Sequence, residues 1–372
     1  GMIAMHTGDP ETATGRFRAI LSDDPKQTRV RLELARALMM QGKFGDADYH
    51  LRLAQNDESL PEDIARMISN ARSVIRSNRR FRFGFDVGVA PDTNINSATA
   101  AQSIDVNLGG FQLPLDLDEN ARRRSGVGLT ASAYASMRLP ATAKVAIVGQ
   151  VDTQMVNYQG GNLDDYTVQA SAGPEFAIGQ RTSVSVEGVG LFRWCGGTVA
   201  SRQAGAKITA QHTIGRDRRV ALQVDGRRND SDLNSGYKGW QLSGNATFEQ
   251  VVAKSAIASA SVYARREILK FDAYSNTVVG VNVGIGGELP LGINAGVSGG
   301  VSRARYDEAQ TFFSDARRKD WRLQGRAYAG LRQLRFLNLS PSVEYSYVRN
   351  QSNYAFYKTD RHRVEFKLAR YF

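Results

Sequence analysis

From Phe81 to Phe372 apolar and polar residues alternate through about fourteen successive segments, and a chain with that pattern has few ways to fold. Successive side chains of a strand point to opposite faces. Phe81, Phe83, Phe85, Val87 and Val89 therefore share one face, and Arg82, Gly84, Asp86 and Gly88 the other. Val127, Leu129, Ala131, Ala133, Ala135, Met137 and Leu139 repeat the pattern against Thr130, Ser132, Tyr134, Ser136 and Arg138. Late in the chain Trp321, Leu323, Ala327 and Leu331 alternate with Arg322, Gln324 and Arg326, and Val343, Tyr345 and Tyr347 with Ser342, Glu344 and Ser346. The polar face carries full charges, so it is wet. A soluble β-sandwich also alternates, but its strands tend to run about five or six residues. Strands of ten or more suit a tilted bilayer crossing, which needs about nine to eleven. The mean hydropathy of −0.37 is compatible, since half of each barrel strand faces a polar lumen. No run of about twenty apolar residues exists, which excludes helical spanning. The pattern predicts a mainly β chain: an antiparallel transmembrane β-barrel of the bacterial outer membrane.

Strands are expected near 81–90, 124–139, 143–157, 165–178, 182–194, 203–214, 218–228, 237–251, 255–267, 275–288, 292–305, 319–333, 338–349 and 360–372. The links then alternate in length. Short ones include Pro140-Ala141-Thr142, Gly179-Gln180-Arg181, Gly215-Arg216-Asp217, Ala253-Lys254, Leu289-Pro290-Leu291 and a turn around 335–337. Long ones are 92–123, 159–164, 196–202, 229–236, 269–274, 306–318 and 350–359. Outer-membrane barrels have short periplasmic turns and longer extracellular loops, so both termini are expected in the periplasm. The ninth strand has the least contrast, Ala256, Ala258, Ala260 and Val262 against Ile257, Ser259, Ser261 and Tyr263, which leaves twelve or sixteen strands open. The longest link contains its own apolar run, 111–117, and is a candidate plug or outer cap.

Residues 1–80 are a different object, expected to be a short helical segment ahead of a barrel over 81–372. Gly8, Ala13 and Phe17 recur 34 residues later as Gly42, Ala47 and Leu51, the period of tetratricopeptide repeats, and Pro25 falls where such a repeat ends. An unrelated helical hairpin is the plainer alternative. Val30, Leu34, Ala35 and Leu38 form one apolar helical face, continued by Ala47, Leu51 and Ala54. A further helix is expected to open on Ser59 and Glu62 in capping-box spacing, to bury Ile64, Ile68, Ala71 and Ile75, and to end in the basic run 76–80. Gly1 ahead of Met2 reads as a tagging remnant, so a signal peptide and further repeats are expected to belong to the natural protein.

A helical segment joined to such a barrel resembles the surface lipoprotein assembly modulator (Slam) family. The local match is Gly88-Val89-Ala90-Pro91-Asp92-Thr93-Asn94-Ile95-Asn96, which is similar to the signature opening that family's barrel. The resemblance implies an outer-membrane translocon carrying a client, a surface lipoprotein or a secreted haem- or metal-scavenging protein, from periplasm to surface. Typical members have a longer helical region. From the repeat register, client contact is expected at Arg29, Leu32, Arg36, Met39 and Met40, although Leu32, Met39 and Met40 would also serve simply by packing against the barrel. Pro91, Asp92, Thr93, Asn94 and Asn96 also read as a structural turn, since proline ends a ladder and Asx side chains bond nearby backbone.

Other chemistries are poorly supplied. Asp92, Asn94 and Asn96 offer alternate oxygens, but the acid that closes an EF-type loop is absent, so neither metal nor cofactor is expected. The histidines are His6, His50, His212 and His362; His212 is in phase with lipid-facing Ile208 and Ala210, and His362 reads as a rim residue, so no enzyme is expected. Cys195, the single cysteine, is expected in the loop after Trp194. Phe192, Trp194, Trp240, Trp321, Tyr345 and Tyr347 read as interfacial girdle, and terminal Phe372 with Val364, Phe366 and Leu368 resembles the signal read by the barrel-assembly machinery. The net charge of +11 is dispersed, which argues against nucleic acid and leaves lipopolysaccharide contact, anion preference in the lumen, or steering of an acidic client. The expected partners are outer-membrane lipids and lipopolysaccharide, a client protein and the assembly machinery, with the chain as a monomer. A diffusion porin with a periplasmic appendage is the competing function.

Overall fold

The computed structural model describes the chain except for residues 58, 79–80, 109, 332–333, 335–338 and 370–372. The expected turn at 335–337, the Arg79-Arg80 end of the basic run and the Phe372 signal lie outside the described residues. Helices α1 (Met2–His6), α2 (Pro10–Asp23), α3 (Thr28–Met40), α4 (Phe44–Ala54) and α5 (Glu62–Asn78) come first. The strands are β1 (Phe81–Asp92), β2 (Ser103–Leu108), β3 (Phe111–Asp116), β4 (Gly126–Pro140), β5 (Val145–Tyr158), β6 (Asp165–Ile178), β7 (Thr182–Cys195) and β8 (Thr198–Ile214). They continue as β9 (Arg218–Asp230), β10 (Gly239–Val252), β11 (Ala256–Leu269), β12 (Asn276–Glu288), β13 (Ile293–Tyr306), β14 (Lys319–Leu331), β15 (Ser340–Ser352) and β16 (Thr359–Ala369).

Fourteen of these strands form one closed antiparallel barrel, β4 through β16 in order with β1 joining β16 to β4. The doubtful ninth barrel strand, β11, pairs along its length with β10 and β12. Outside, the apolar phase of each strand is exposed: Phe81, Phe83 and Phe85 on β1, Leu222 and Val224 on β9, and Val279, Val281, Val283 and Ile285 on β12. A water-soluble surface does not carry a continuous apolar belt of this kind, whereas lipid requires it. Inside, the polar phase is joined across strands, as where Glu344 bonds Arg326 at 2.5 Å and Lys367 at 2.9 Å. Tyrosines fill the space above lumen-facing glycines: a Cβ at Gly280 would lie 2.5 Å from the Tyr263 ring, and one at Gly296 2.6 Å from Tyr328.

Two links differ from expectation. The expected long link at 196–202 is only Gly196-Gly197, with φ of 55° and 81°, the geometry a two-residue hairpin turn needs. Thr198 to Arg202 belong to β8, and Cys195 ends β7 rather than lying in a loop. Residues 93–125 contain the β2–β3 hairpin, so the apolar run there is mostly strand β3. The hairpin is bonded to other loops: the Asn107 N–H donates to the Phe312 carbonyl at 2.8 Å, and its amide donates to Asp315 at 3.1 Å.

The helical segment has its own core of Ala13, Phe17, Leu21, Leu34, Ala35, Leu38, Ala47 and Leu51, joined by Ile68 and Ile75 of α5. Gly8 and Gly42, one repeat apart, both take positive φ (76° and 71°) at the turns before α2 and α4. Asp9 caps α2 by accepting from the Thr12 N–H at 3.0 Å, and the Thr12 hydroxyl together with that N–H holds its carboxyl below the usual range. Ser59 does not act as the expected α5 cap; its hydroxyl donates to Asp57 at 2.7 Å.

Candidate functional site at the two ends of the barrel

The end of the barrel that carries the short turns is covered by the helices. Among the described residues three ion pairs hold them there. Arg31 of α3 reaches Glu288, the last residue of β12, at 2.8 Å, with each side chain only 1 % exposed. Arg31 also donates to the Pro25 carbonyl and to Nδ1 of His50 at 3.1 Å. Arg52 of α4 meets Glu249 of β10 at 2.8 Å, a carboxylate shared with Arg219. Asp57 meets Lys254 at 2.8 Å in the β10–β11 turn, where Ala253 and Lys254 take positive φ without glycine. The Lys254 ammonium, with the hydroxyls of Thr28 and Ser59, holds the Asp57 carboxyl far below the usual range. α2 packs on the turn Pro290–Gly292. All of these contacts fall on the β10–β13 sector.

Beside the β4–β9 sector the same helices leave a polar cleft of about 400 Å³, lined by Asp48 and Arg72 from the helices and by lumen-facing residues of the wall. On the wall Arg138 pairs with Glu175 at 2.9 Å, and Glu187 with Lys207 at 3.0 Å. The arrangement can hold a polar or charged segment. Among the described residues no group of three or more His, Cys, Asp or Glu is placed to hold a metal.

The opposite end, with the long links, is knitted by the barrel's own loops through ion pairs, asparagine amides and aromatic contacts. Asp92, whose side chain is fully buried, accepts from Arg361 of β16 at 2.8 Å and from the Tyr158 hydroxyl at 3.4 Å. The Asn94 amide donates to the carbonyls of Ala98 and Asp360 at 2.8 and 2.9 Å, and its oxygen accepts from the Ala98 N–H. Asn96 donates to the carbonyls of Asn120 and Arg122, while Thr93 exchanges bonds with His362 across the seam. The Pro91 to Asn96 stretch thus fastens the first strand to the last and gathers both ends of the longest link. Nearby, Arg318 lies 3.3 Å from the Tyr357 ring centre and Phe313 stacks on Phe356 at 5.3 Å. His362 accepts or donates through Nδ1 with the Tyr345 hydroxyl at 2.8 Å.

The residues expected to touch a client occupy α3. Arg29, Arg36 and Met40 are exposed, whereas Leu32 and Met39 are half-buried against the helical core. Sequence reasoning missed the docking residues Arg31, Glu288, Arg52, Glu249, Asp57 and Lys254. One signal was available: Arg31 lies three and four residues before Leu34 and Ala35, in the buried phase of α3, where a cation requires a partner.

A tetratricopeptide repeat profile matches residues 4–61. No curated protein matches the chain significantly. Among solved structures, the chain is similar to the outer membrane channel DcaP of Acinetobacter baumannii, at 10% identity and a TM-score of 0.45, covering 78% of this chain and 96% of that one. OccK1 of Pseudomonas aeruginosa follows at 10% identity and 0.39, covering 77% and 98%, and OmpF of Salmonella typhi at 8% and 0.41, covering 79% and 98%. Likenesses this distant say nothing about activity. A profile described as surface lipoprotein assembly modifier matches residues 81–372, the whole barrel from its first strand, and the chain therefore belongs to the surface lipoprotein assembly modifier family of the outer membrane.

Proposed function

We infer that the chain is a translocon that delivers a lipoprotein from the periplasm to the cell surface. The carrying observation is the seat of the tetratricopeptide segment across the short-turn mouth of a family barrel. Short turns belong on the periplasmic side, which supports reading residues 1–80 as a separable periplasmic client-binding domain and residues 81–372 as the membrane barrel. Arg29, Arg36 and Met40 offer charge and an apolar tip on α3, with Leu32 and Met39 beside them, and the turn at Pro91, Asp92, Thr93, Asn94 and Asn96 keeps the exit closed into a ring. The reading needs no catalytic group. It has the assembly machinery inserting a monomer whose outer loops meet lipopolysaccharide. Secreted haem- or metal-scavenging proteins are the further client class.

Deleting the chain from its host is expected to strand a lipoprotein in the periplasm, read by surface labelling against total protein; unchanged display sinks the proposal. Removing residues 1–78 is expected to leave a heat-modifiable barrel and to impair display. The charged lumen favours one other reading, a diffusion porin, which predicts steady conductance in planar bilayers and no effect on display.

A further inference from the structure

We propose that the cleft between α4, α5 and the β4–β9 wall binds an extended acidic polypeptide segment, the part of a client that enters the barrel first. The proposal rests on the translocon reading and names its substrate chemistry.

Three observations carry it. Charge comes first: Arg72, Arg82, Arg138, Arg181 and Arg219 line the cleft against three carboxylates, Asp48, Glu175 and Glu187. Each of those carboxylates is already held by a cation, at 2.8 Å from Arg72, 2.9 Å from Arg138 and 3.0 Å from Lys207. Arg219 is likewise held by Glu249 at 2.8 Å, and with Arg82 and Arg181 added the cleft carries more cations than carboxylates, a positive potential inside a low-dielectric wall, where a field is focused. Second, the wall between the arginines presents Ser183, Thr209, Gln211 and Thr213, hydroxyls and an amide suited to the main chain of a passing strand. Lipid headgroups offer the same negative charge but bring acyl chains, for which a polar wall provides no cover. Third, among the described residues the ion pairs between helices and barrel fall on β10 to β12, and the cleft lies beside the opposite sector of the mouth. At about 400 Å³ the cleft is within the range of ordinary ligand pockets and too small for a folded domain.

The test uses the full chain in detergent micelles with a short fluorescein-labelled Glu/Gly peptide as probe. Arg82 and Arg181 are exposed, so R82E/R181E should leave a heat-modifiable barrel and weaken the peptide about tenfold, with R82Q/R181Q intermediate. K270E/K358E, an equal charge change at exposed positions on the opposite end, should leave affinity unchanged. A Lys/Gly peptide should not bind. Equal losses in both reversals, absence of Glu/Gly binding, or anionic phospholipid vesicles or lipopolysaccharide micelles binding more tightly and losing affinity in R82E/R181E would each overturn the proposal. Failure of the two readings is separable. Normal lipoprotein display in a deletion strain defeats the translocon and leaves the peptide result standing, whereas lost display with unchanged R82E/R181E affinity defeats only the acidic segment.

Discussion

The two ends of this barrel are closed by different kinds of structure. At the short-turn end a separate helical body sits on the mouth through ion pairs whose partners lie far apart in sequence, 31 with 288, 52 with 249 and 57 with 254. At the long-link end the mouth is made from the barrel's own loops, tied by ion pairs such as Asp92 with Arg361 and Arg123 with Asp360, by asparagine amides to backbone carbonyls and by stacked aromatics. Ion pairs stabilise a docked state only while both partners stay in place, and any competing charge weakens them. Backbone-directed bonds have no such competitor. One end is thus held through ion pairs, whereas the other adds backbone-directed bonds to its ion pairs.

The largest effect is expected from separating Arg31 and Glu288. Truncating either to alanine takes the counter-charge from a buried ion and should cost about 3–5 kcal/mol of docking, seen as rapid proteolysis of the helices with the barrel intact. R31M/E288M should restore much of the loss; if it does not, the pair does more than neutralise itself. At the other end D92A should cost about 3 kcal/mol, read as a lower temperature for heat modification of the barrel, with helix proteolysis unchanged. N94A, which removes three bonds at a fully buried site, should cost about 1–3 kcal/mol by the same assay.

Acid sharpens the contrast further. Because the Asp57 carboxyl is depressed below its ordinary 3.8, its contribution is complete at neutral pH and is lost as pH falls below that value toward the folded-state pKa. Docking should therefore hold steady from neutral pH to about 4.5 and loosen in stronger acid. K254A should shrink that acid response by the Asp57 share at a cost under about 1 kcal/mol, since Lys254 is 39 % exposed. The smallest stability effect, within about 0.5 kcal/mol, is expected for R29A/R36A/M40A, whose change should appear in lipoprotein display instead.

Much of this architecture was legible because lipid imposes a period on the residues that touch it. β4, β6 and β12 run close to the spans that alternation alone suggests, and even low-contrast β11 keeps its phase. Where lipid ends, the signal ends although pairing continues. Thr198 to Arg202 carry little apolar contrast yet extend β8 to the Gly196-Gly197 turn. The 34-residue recurrence worked for the same reason, since Ala13 and Ala47 are both fully buried at equivalent helix contacts. Docking left almost no trace. Ion pairs across about 200 residues have no spacing to detect, and only Arg31, a cation in an apolar phase, announced that something must meet it.

The seam between Asp92 and Arg361 joins residues 269 positions apart. A contact of that order is among the last a chain can make, because almost all of its length must be in place before the two ends meet. Until β16 arrives, β1 has β4 on one side and an open edge on the other, the kind of edge that recruits foreign strands. A chain cut short anywhere before Arg361 is therefore expected to be a sheet with a sticky border, and its hazard to the cell is aggregation rather than leakage.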